Sequence, residues 1–540
     1  MATRVNPSPP GEAPASAPPR FVRLFFPSVT DLIFIVLLVT FSFTALSTRL
    51  LNDAGIGWHI RNGQQILATH SVPRTDSFSS IMSGKTWFAW EWLYDALIAA
   101  IHSRAGLNAV VFFTAVLIAV TFAASFRVAL RRGTHLAVAA ALVILAISAS
   151  TIHFFARPHV FSWVFTLIWF QLLDSAEADR TRARRLFWLP VLTVIWANVH
   201  GGFVLGFVLL GIYLLAGALR YIREFRSTWP IEALETTQTG RWLKTLGLVS
   251  LLCFGASFIN PYGYQLHLHI YGYLTDRFLI NHIDEFRSPN FHAIAQQCFG
   301  ALLLITLVAV ASARTRVRTS QLLVLIFAVY SGLYASRNLP TSSILLVLIV
   351  GPLLSTAMRD AGNDPTVTSW LRRFFARADS FGARMQSMEM GLGGHLWPAA
   401  VVALGIVACA QQGRLGSRQL INAHFSAKRF PVQEANFISQ HDIRQPIFAP
   451  DYWGGYLIYR LYPQTRVVLD DRHDLYGDQF VKQYLKVIHV QPEWQQVLDG
   501  LNANVVLAPK ESPLANILHL APQWSVVYEG DVGVLFERKR

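Results

Sequence analysis

Apolar segments long enough to cross a bilayer constrain this chain more than any other feature. A spanning helix needs about 20 predominantly apolar residues. Runs of that length or slightly less recur at 30–49, 107–127, 135–151, 158–174, 185–199, 202–222, 242–260, 297–313, 320–336, 340–357 and 394–411. Of the 540 residues, 53% are hydrophobic and 14% are charged, which is too apolar for a soluble protein. The sequence therefore predicts a mainly α, polytopic transmembrane helical bundle with about eleven spans.

Basic residues in the short connections predict the orientation of these spans, because such connections favour the cytoplasmic side. The basic clusters lie at 131–132, 180–185, 220–244, 314–318 and 359–384. If segment 90–103 spans the membrane, the first two clusters fall outside. If it lies in the interface or dips halfway, every cluster falls inside. We therefore predict an uncleaved first span, the N-terminus inside and the C-terminus outside.

The formal net charge of +14 then reflects topology. A nucleic-acid site would need its basic residues clustered on one folded domain with stacking aromatic residues, and this pattern is missing from the sequence. The three cysteines lie in or beside predicted spans, which predicts neither a disulfide framework nor a zinc site. The charge therefore argues against a nucleic-acid partner and for contact with membrane lipid.

The chain divides into three parts. Residues 1–29 are rich in proline and alanine and predict a disordered cytoplasmic tail. Residues 30–412 form the transmembrane domain, which has a first outer loop at 50–92 and a long outer loop at 260–292. Residues 425–540 are more polar and alternate helix and strand patterns, which predicts an extracytoplasmic α/β domain.

The C-terminal domain carries two candidate ligand features. The predicted strand 465–472 ends in the acid pair Asp470 and Asp471, and ligands favour the carboxyl ends of strands in open α/β sheets. Segment 451–457, DYWGGYL, either lies at the same ligand edge or forms a tight turn.

Acidic and histidine residues near the membrane concentrate on the predicted outer side. In the first outer loop Asp53 is followed by Trp58 and His59, which share a short amphipathic helix. Asp53 could act as a general base on an incoming hydroxyl or amine, or it could cap the helix that begins near Ala54. Glu91, flanked by two tryptophans, is either a second catalytic acid or an interfacial anchor.

Basic side chains also occur at the outer ends of several predicted spans. These residues are Arg157, His159, His200 and Arg337. Cations that converge from different helices suit a phosphate or pyrophosphate, which arginine binds with two hydrogen bonds. Each of them alone is better explained by snorkelling to the lipid headgroups, and only the four together favour a site. Glu285, on the long outer loop, is either a further member of this site or a solvated loop charge.

Together these features resemble the GT-C superfamily of membrane glycosyltransferases that use polyprenyl-phosphate sugars. The resemblance covers residues 32–203 and rests on the early acid of the first outer loop, the WHIRNG helix and the WFAWEWL segment. In arrangement it is similar to bacterial transferases of the dolichyl-phosphate-mannose and lipid A aminoarabinose types. The resemblance implies an inverting transfer from a polyprenyl-phosphate-linked sugar to a glycan, lipid or protein acceptor, in a bacterial cytoplasmic (inner) membrane.

The resemblance also implies roles for individual residues. Asp53 would deprotonate the acceptor, and His59 with Glu91 would shape the acceptor side. The departing lipid phosphate would be held by Arg157, His200 and Arg337. Asp53 is followed by Ala54 where protein mannosyltransferases carry a second acid, which leaves the acceptor open. Some members of the superfamily use a divalent metal, which Asp53 and Glu285 could hold here.

Two other classes of protein remain open from the sequence. A transporter or flippase for a lipid-linked glycan would place polar or broken helices in the middle of the membrane, whereas the polar residues here lie at the outer ends. A non-catalytic envelope assembly protein would use the outer α/β domain, and substitution of Asp53 would leave its function intact.

Overall fold

The structure, a computed structural model, describes residues 19–224, 237–314 and 316–539. Most of the predicted tail, 1–18, lies outside the described residues, as do positions 225–236 and 315 of two basic connections. Within the described part, residues 19–410 are mainly helical, with short 3₁₀ turns and a non-helical loop at 70–91. The helices are α1 (Arg20–Phe25), α2 (Val29–Ser42), α3 (Ile56–Thr69), α4 (Trp92–Arg131), α5 (Leu136–Ser150), α6 (His159–Ala178), α7 (Leu189–Val199), α8 (Val204–Glu224), α9 (Gln238–Ser257), α10 (Gln265–Thr275), α11 (Arg277–His282), α12 (Ile294–Ser312), α13 (Thr319–Tyr334), α14 (Leu339–Asn363), α15 (Ser369–Gly391) and α16 (Leu396–Ala410).

Six helical segments in the described part of the chain are long and apolar enough to cross a membrane. They are Phe21–Ser42, Trp92–Arg131, Leu136–His153, Gly201–Glu224, Ile294–Ser312 and Ser336–Asn363. A seventh is present if α15 and α16, bent by 53°, count as one span. The chain is thus an integral membrane protein with several apolar helices, and the predicted count of eleven is not confirmed. The other predicted runs are helical, but α7 has only 11 residues and α13 only 16, while α6 carries Asp174 and Glu177.

Helix α4 joins the ambiguous segment 90–103 to the following span. Its 40 residues are interrupted at Ala105 and Gly106, and the positive φ of Gly106 (61°) is a conformation that favours glycine. Before this break, α4 packs against α3 so closely that a Cβ on Gly63 would lie 1.9 Å from the carbonyl oxygen of Asp95. The segment is therefore a half-helix that supports the first outer loop.

A buried ionic network lies at the C-terminal end of α4, beside Arg132. The Asp174 carboxylate of α6 accepts hydrogen bonds from Arg132 Nη1 at 2.5 Å and from Arg318 Nη2 at 2.7 Å. Tyr213 of α8 donates to the same carboxylate at 3.2 Å. A helix rises about 1.5 Å per residue, so Asp174 lies near the end of the unbroken helix α6 that is remote from His159.

The C-terminal domain is a small α/β unit. A two-stranded hairpin, β1 (Arg414–Leu415) with β2 (Arg418–Gln419), precedes it. Its four-stranded mixed sheet has the order β3-β4-β6-β5, in which β3 pairs with β4 in parallel and the other pairs are antiparallel. The elements are α17 (Val432–Gln440), β3 (Ile447–Phe448), α18 (Asp451–Leu461), α19 (His473–Ile488), α20 (Trp494–Gly500), β4 (Val505–Pro509), α21 (Pro513–Leu520), β5 (Trp524–Glu529) and β6 (Gly533–Arg538).

One local prediction for this domain is wrong, and an open alternative is resolved. Segment 451–457 is the start of α18, which excludes the tight turn. Segment 465–472 forms no regular strand; its Val467 makes isolated bridges to Ile447 of β3 and to Ser79 of the first outer loop. The extended segment therefore connects the sheet of the domain to the membrane-associated part.

Glycines fix the C-terminal domain against the first outer loop. A Cβ on Gly57 of α3 would lie 2.1 Å from the carbonyl oxygen of Gly455, and a Cβ on Gly455 would lie 2.3 Å from that of Ala54. Beside this contact, Arg472 forms ion pairs with Asp470 at 2.7 Å and with Asp76 of the loop at 2.8 Å. Helices α3 and α18 thus meet backbone to backbone, which brings the segment after Asp470 to the end of the bundle.

Candidate functional site

A cavity of about 310 Å³ lies between the end of the bundle and the C-terminal domain. Most of the residues predicted for a site line it: Asp53, Trp58, Glu91, Arg157, His159, His200, Glu285 and Arg337. The remaining one, His59, is fully buried behind the wall, with its Nε2 3.8 Å from Glu91 Oε2. The structure therefore brings these residues together, although they come from the first outer loop, the long outer loop and the ends of several helices.

Arg157 connects two carboxylates on one side of the cavity. Its Nη1 donates to Asp53 Oδ1 at 3.1 Å and to Asp471 Oδ2 at 3.0 Å. Asp53 Oδ1 also accepts the N–H of Gly55 at 2.8 Å, so the carboxylate orders the turn before α3 as well as facing the cavity. Helix α3 begins at Ile56 with Gly55 as its N-cap residue, which differs from the simple cap considered for Asp53.

Burial and neighbouring charges determine the protonation states of Asp471 and Arg157. Burial raises the pKa of Asp471 to about 6, against the opposing charge of Arg157 and with a further contribution from Asp53. Burial disfavours the charged form of Arg157, but the adjacent carboxylates outweigh it and raise the guanidinium pKa above its ordinary value. Trp58 Nε1 donates to Asp471 Oδ1 at 3.0 Å. Each carboxylate oxygen of Asp471 therefore accepts one hydrogen bond, from Arg157 and from Trp58.

Glu91 is a buried acid on another part of the wall. Its side chain lies 3.8 Å from His59 Nε2 and 3.7 Å from His200 Nε2. Burial raises the pKa of Glu91 to about 8, so the carboxyl group carries a proton at neutral pH. Burial, with the charge of Arg157, lowers the pKa of His59 well below its ordinary value. Glu91 and His59 are therefore both neutral near pH 7.

His59 is held in place from behind by the half-helix. Its Nδ1 lies 2.5 Å from Asp95 Oδ1, and Asn62 Nδ2 donates to Asp95 Oδ2 at 2.6 Å. His59 Nε2 is buried and has no hydrogen-bond partner among the described residues. This ring nitrogen points toward Glu91.

A second arginine approaches the cavity from the start of α14. Arg337 Nη1 lies 3.4 Å from Glu285 Oε1, and its guanidinium stands 4.4 Å from the ring centroid of Phe286. Nη1 is buried without a hydrogen-bond partner in the described part of the chain. Although burial opposes the shift, the charge of Arg337 helps to lower the pKa of Glu285 to about 2. Glu285 is thus ionised and paired, although its side chain remains 43% exposed.

Histidine rings complete the polar wall. His159 Nε2 lies 2.8 Å from the carbonyl oxygen of His153, and His200 Nδ1 lies 2.7 Å from Ser162 Oγ. Apolar side chains line another part of the cavity: Val204, Leu205, Ile270, Leu274 and Tyr334. The cavity therefore combines basic and acidic groups with a surface suited to a hydrocarbon chain.

Several cavity residues were not predicted as site members. Asp471 was identified only as a possible ligand edge, and Asp95, His153 and Asp474 were not singled out. Asp471 follows Arg157 by 314 residues, and no local pattern connects them. The sequence signal that points to Asp471 is the acid pair at residues 470–471, which follows the glycine-containing segment DYWGGYL in the chain.

The carboxylates do not fit a divalent cation as they are arranged. Of the two predicted metal ligands, Asp53 bonds to Arg157 and Glu285 pairs with Arg337. The described residues contain no group of three or more histidine, cysteine, aspartate or glutamate side chains that could hold a metal ion.

The fold is similar to that of known membrane enzymes. The oligosaccharyltransferase of Archaeoglobus fulgidus in the apo form superposes with a TM-score of 0.51 at 11% identity, over 89% of this chain and 69% of that one. The same enzyme tethered to an acceptor peptide with the NVT sequon gives 0.53 at 11% identity, over 91% and 70%. The chain therefore has a fold similar to that of GT-C glycosyltransferases. The predicted resemblance is thereby confirmed at the level of the fold.

A third structure, ArnT from Cupriavidus metallidurans in the apo state, aligns with a TM-score of 0.44 at 15% identity, over 93% of this chain and 97% of that one. No protein-family model matches the chain, and no curated protein sequence matches it.

Proposed function

We propose that the chain is a membrane glycosyltransferase that moves a sugar from a polyprenyl-phosphate donor to an acceptor at the outer face of the membrane. The observation that carries the proposal is one cavity in which Asp53 lies beside Arg157 and which Arg337 also lines. A carboxylate can accept a proton, and guanidinium groups can receive a phosphate. The similarity of fold to an oligosaccharyltransferase supports the same reaction class.

The reaction would be a single inverting displacement at the anomeric carbon of the donor sugar. The acceptor oxygen or nitrogen forms the new bond while the bond from that carbon to the lipid-phosphate oxygen breaks, and the bonding electrons stay on the phosphate. Asp53 accepts the proton that the acceptor releases. The negative charge of the departing phosphate is stabilised by Arg157, His200 and Arg337.

The remaining cavity residues would position the substrates. Glu91, which is protonated near neutral pH, can donate a hydrogen bond on the acceptor side, and His59 supports it from behind. The apolar wall that includes Ile270 and Leu274 would receive the first part of the polyprenyl chain. Because the basic connections lie at the other end of the bundle, this site would face the outside of a bacterial cytoplasmic membrane.

Transfer of radiolabelled sugar from membrane lipid tests the proposal. Membranes that contain wild-type protein and membranes with Asp53→Asn are compared at equal abundance. The near-isosteric change removes the base and should lower transfer by at least about 100-fold, with a smaller loss for Glu91→Gln. Asp284→Asn is the matched control, because Asp284 lies on the long outer loop, is 95% exposed and does not line the cavity.

The outcomes separate the classes of function. Transfer that depends on Asp53 and not on Asp284 supports the enzyme. Equal transfer with Asp53→Asn removes Asp53 as the base. Absence of transfer from a panel of lipid-linked sugars would contradict the glycosyltransferase and favour the envelope assembly or transport alternatives.

A further inference from the structure

The cation between the two carboxylates of the cavity belongs to the chain itself. Asp53 and Asp471 come from different domains and converge on one point, and the atom at that point is Arg157 Nη1, at 3.1 Å and 3.0 Å. Two convergent carboxylates are a common arrangement for a divalent cation with oxygen ligands. Here a guanidinium nitrogen takes the position that such a cation would occupy.

Room for this guanidinium depends on Gly55. A Cβ at residue 55 would lie 1.4 Å from Arg157 Nη1 and 2.6 Å from Asp471 Oδ2. The backbone of Gly55 has φ −57° and ψ −25°, which any residue can adopt. The requirement for glycine is therefore the space that Arg157 fills and not the backbone conformation.

Arg157 retains donors for a ligand. Both of its hydrogen bonds to carboxylates use Nη1, and among the described residues its Nε and Nη2 have no hydrogen-bond partner. The side chain lines the cavity. Arginine is not deprotonated in proteins, so its charge is as permanent as that of a metal ion.

We propose that Arg157 is the built-in cation of this site, linking Asp53 to Asp471 through Nη1 and presenting its other N–H groups to the donor phosphate, in the place where a divalent metal would otherwise link the carboxylates. Asp471 is then a positioning residue that acts through Arg157. The role toward phosphate rests on the proposed function, whereas the exclusion of a metal between the carboxylates does not.

Binding of Mn²⁺ to the purified full-length protein, followed by electron paramagnetic resonance, tests this inference without any transfer reaction. The wild-type protein should show no Mn²⁺ binding that depends on Asp53, so the wild type and Asp53→Asn should bind the same amount of Mn²⁺. Arg157→Ala should acquire a bound Mn²⁺, which is lost again when Asp471→Asn is added. Asp53-dependent Mn²⁺ binding by the wild type would overturn the inference, as would a folded Arg157→Ala protein that acquires none.

Variants that keep the fold provide a second test. If Arg157→Ala fails to fold, Arg157→Gln, which removes the charge and the end of the side chain but fills more of its space, should likewise create Asp53-dependent Mn²⁺ binding. Its failure to do so, in a folded protein, would overturn the inference.

The transfer assay then separates this inference from the proposed function. Wild-type transfer should be unchanged by EDTA. Arg157→Ala should lower transfer by about 100-fold, and added Mn²⁺ should partly restore it. The transfer rate of Arg157→Lys should lie between those of the wild type and Arg157→Ala, because an ammonium is a point charge without the guanidinium fork. EDTA-sensitive wild-type transfer that Mn²⁺ restores would overturn the inference and leave the glycosyltransferase intact. The expected Mn²⁺ binding without transfer from any donor would contradict the proposed function alone.

Discussion

Glu91 is a buried acid whose nearest basic groups are neutral histidines. It is 8% exposed, and burial raises its pKa from 4.5 to about 8. Between these two values the folded chain holds a proton that the unfolded chain has released. The free energy of unfolding therefore decreases as the pH rises through this window, by about 1.4 kcal/mol for each pH unit that the group fully contributes.

Glu91→Gln should remove this pH dependence. We expect the melting temperature of the wild-type protein in detergent to fall between about pH 5 and about pH 8, and that of Glu91→Gln to fall less. Asp284→Asn is the matched control: its side chain is 95% exposed and does not line the cavity, so this variant should keep the pH dependence of the wild type. Parallel curves for the wild type and Glu91→Gln would contradict the raised pKa.

The sequence predicts that a residue belongs to the cavity when the order of the helices alone determines its position. Arg157, His200 and Arg337 lie at corresponding ends of different helices, and closing the bundle brings such ends together. The orientation of His59 was not predictable, because its ring turns toward Asp95 only once α3 packs on the half-helix. Asp471 was not predictable as a partner of Arg157, because a contact between two domains leaves no periodic pattern in the sequence.

Helices α3 and α18 are the elements that hold the two domains together. Their contact uses glycine on both sides, so that main-chain atoms of Gly57, Ala54 and Gly455 meet with no intervening side chain. The interior of a folded protein tolerates added methyl groups poorly, at a cost of about 1–3 kcal/mol. The position of Asp471 therefore depends on this helix pair.

Gly455→Ala should separate the two helices and weaken the docking of the C-terminal domain. We expect a lower melting temperature and faster release of the domain by limited proteolysis, together with reduced sugar transfer as Asp471 moves away from Arg157. Gly500→Ala, at the end of α20, is the matched control, because its Cβ would have no heavy atom within 4 Å. Proteolysis of Gly455→Ala at the wild-type rate would contradict a rigid contact.

At the level of elements, apolar patterns predicted helices more reliably than spans. Runs 158–174, 185–199 and 320–336 are helical, but hydropathy does not show whether a helix crosses the membrane or packs within the bundle. The C-terminal domain contains both helices and strands, as its alternating pattern predicts. DYWGGYL was ambiguous because its glycines serve close helix packing, which from sequence is indistinguishable from a turn.

The whole molecule has two polar ends. The cavity lies at the start of α4 and α6, whereas the Asp174 network lies toward their other ends. Removing one partner of a buried ion pair strongly lowers the free energy of unfolding. The Asp174 network therefore holds α4, α6 and the segment of Arg318 together at the end of the bundle opposite the cavity. The two ends should face opposite sides of the membrane.

Cysteine labelling tests this orientation. In a background with all three native cysteines replaced by alanine, Ser417→Cys in the exposed turn of β1–β2 should react with a membrane-impermeant maleimide in spheroplasts. Ser380→Cys on α15, also exposed in the structure, should react only after the membrane is permeabilised. The reverse pattern would contradict the N-terminus-inside topology.

The linkage of Asp53, Arg157 and Asp471 has a consequence for biosynthesis. Asp53 and Arg157 emerge from the ribosome early, but Asp471 follows Arg157 by 314 residues, which takes roughly 15–60 s at cellular rates of translation. During that interval the nascent chain already lies in the membrane among its lipids with an unfinished cluster. Completion of the site thus waits for the synthesis and docking of the C-terminal domain, so Asp53 and Arg157 lack their third partner during the first part of biosynthesis.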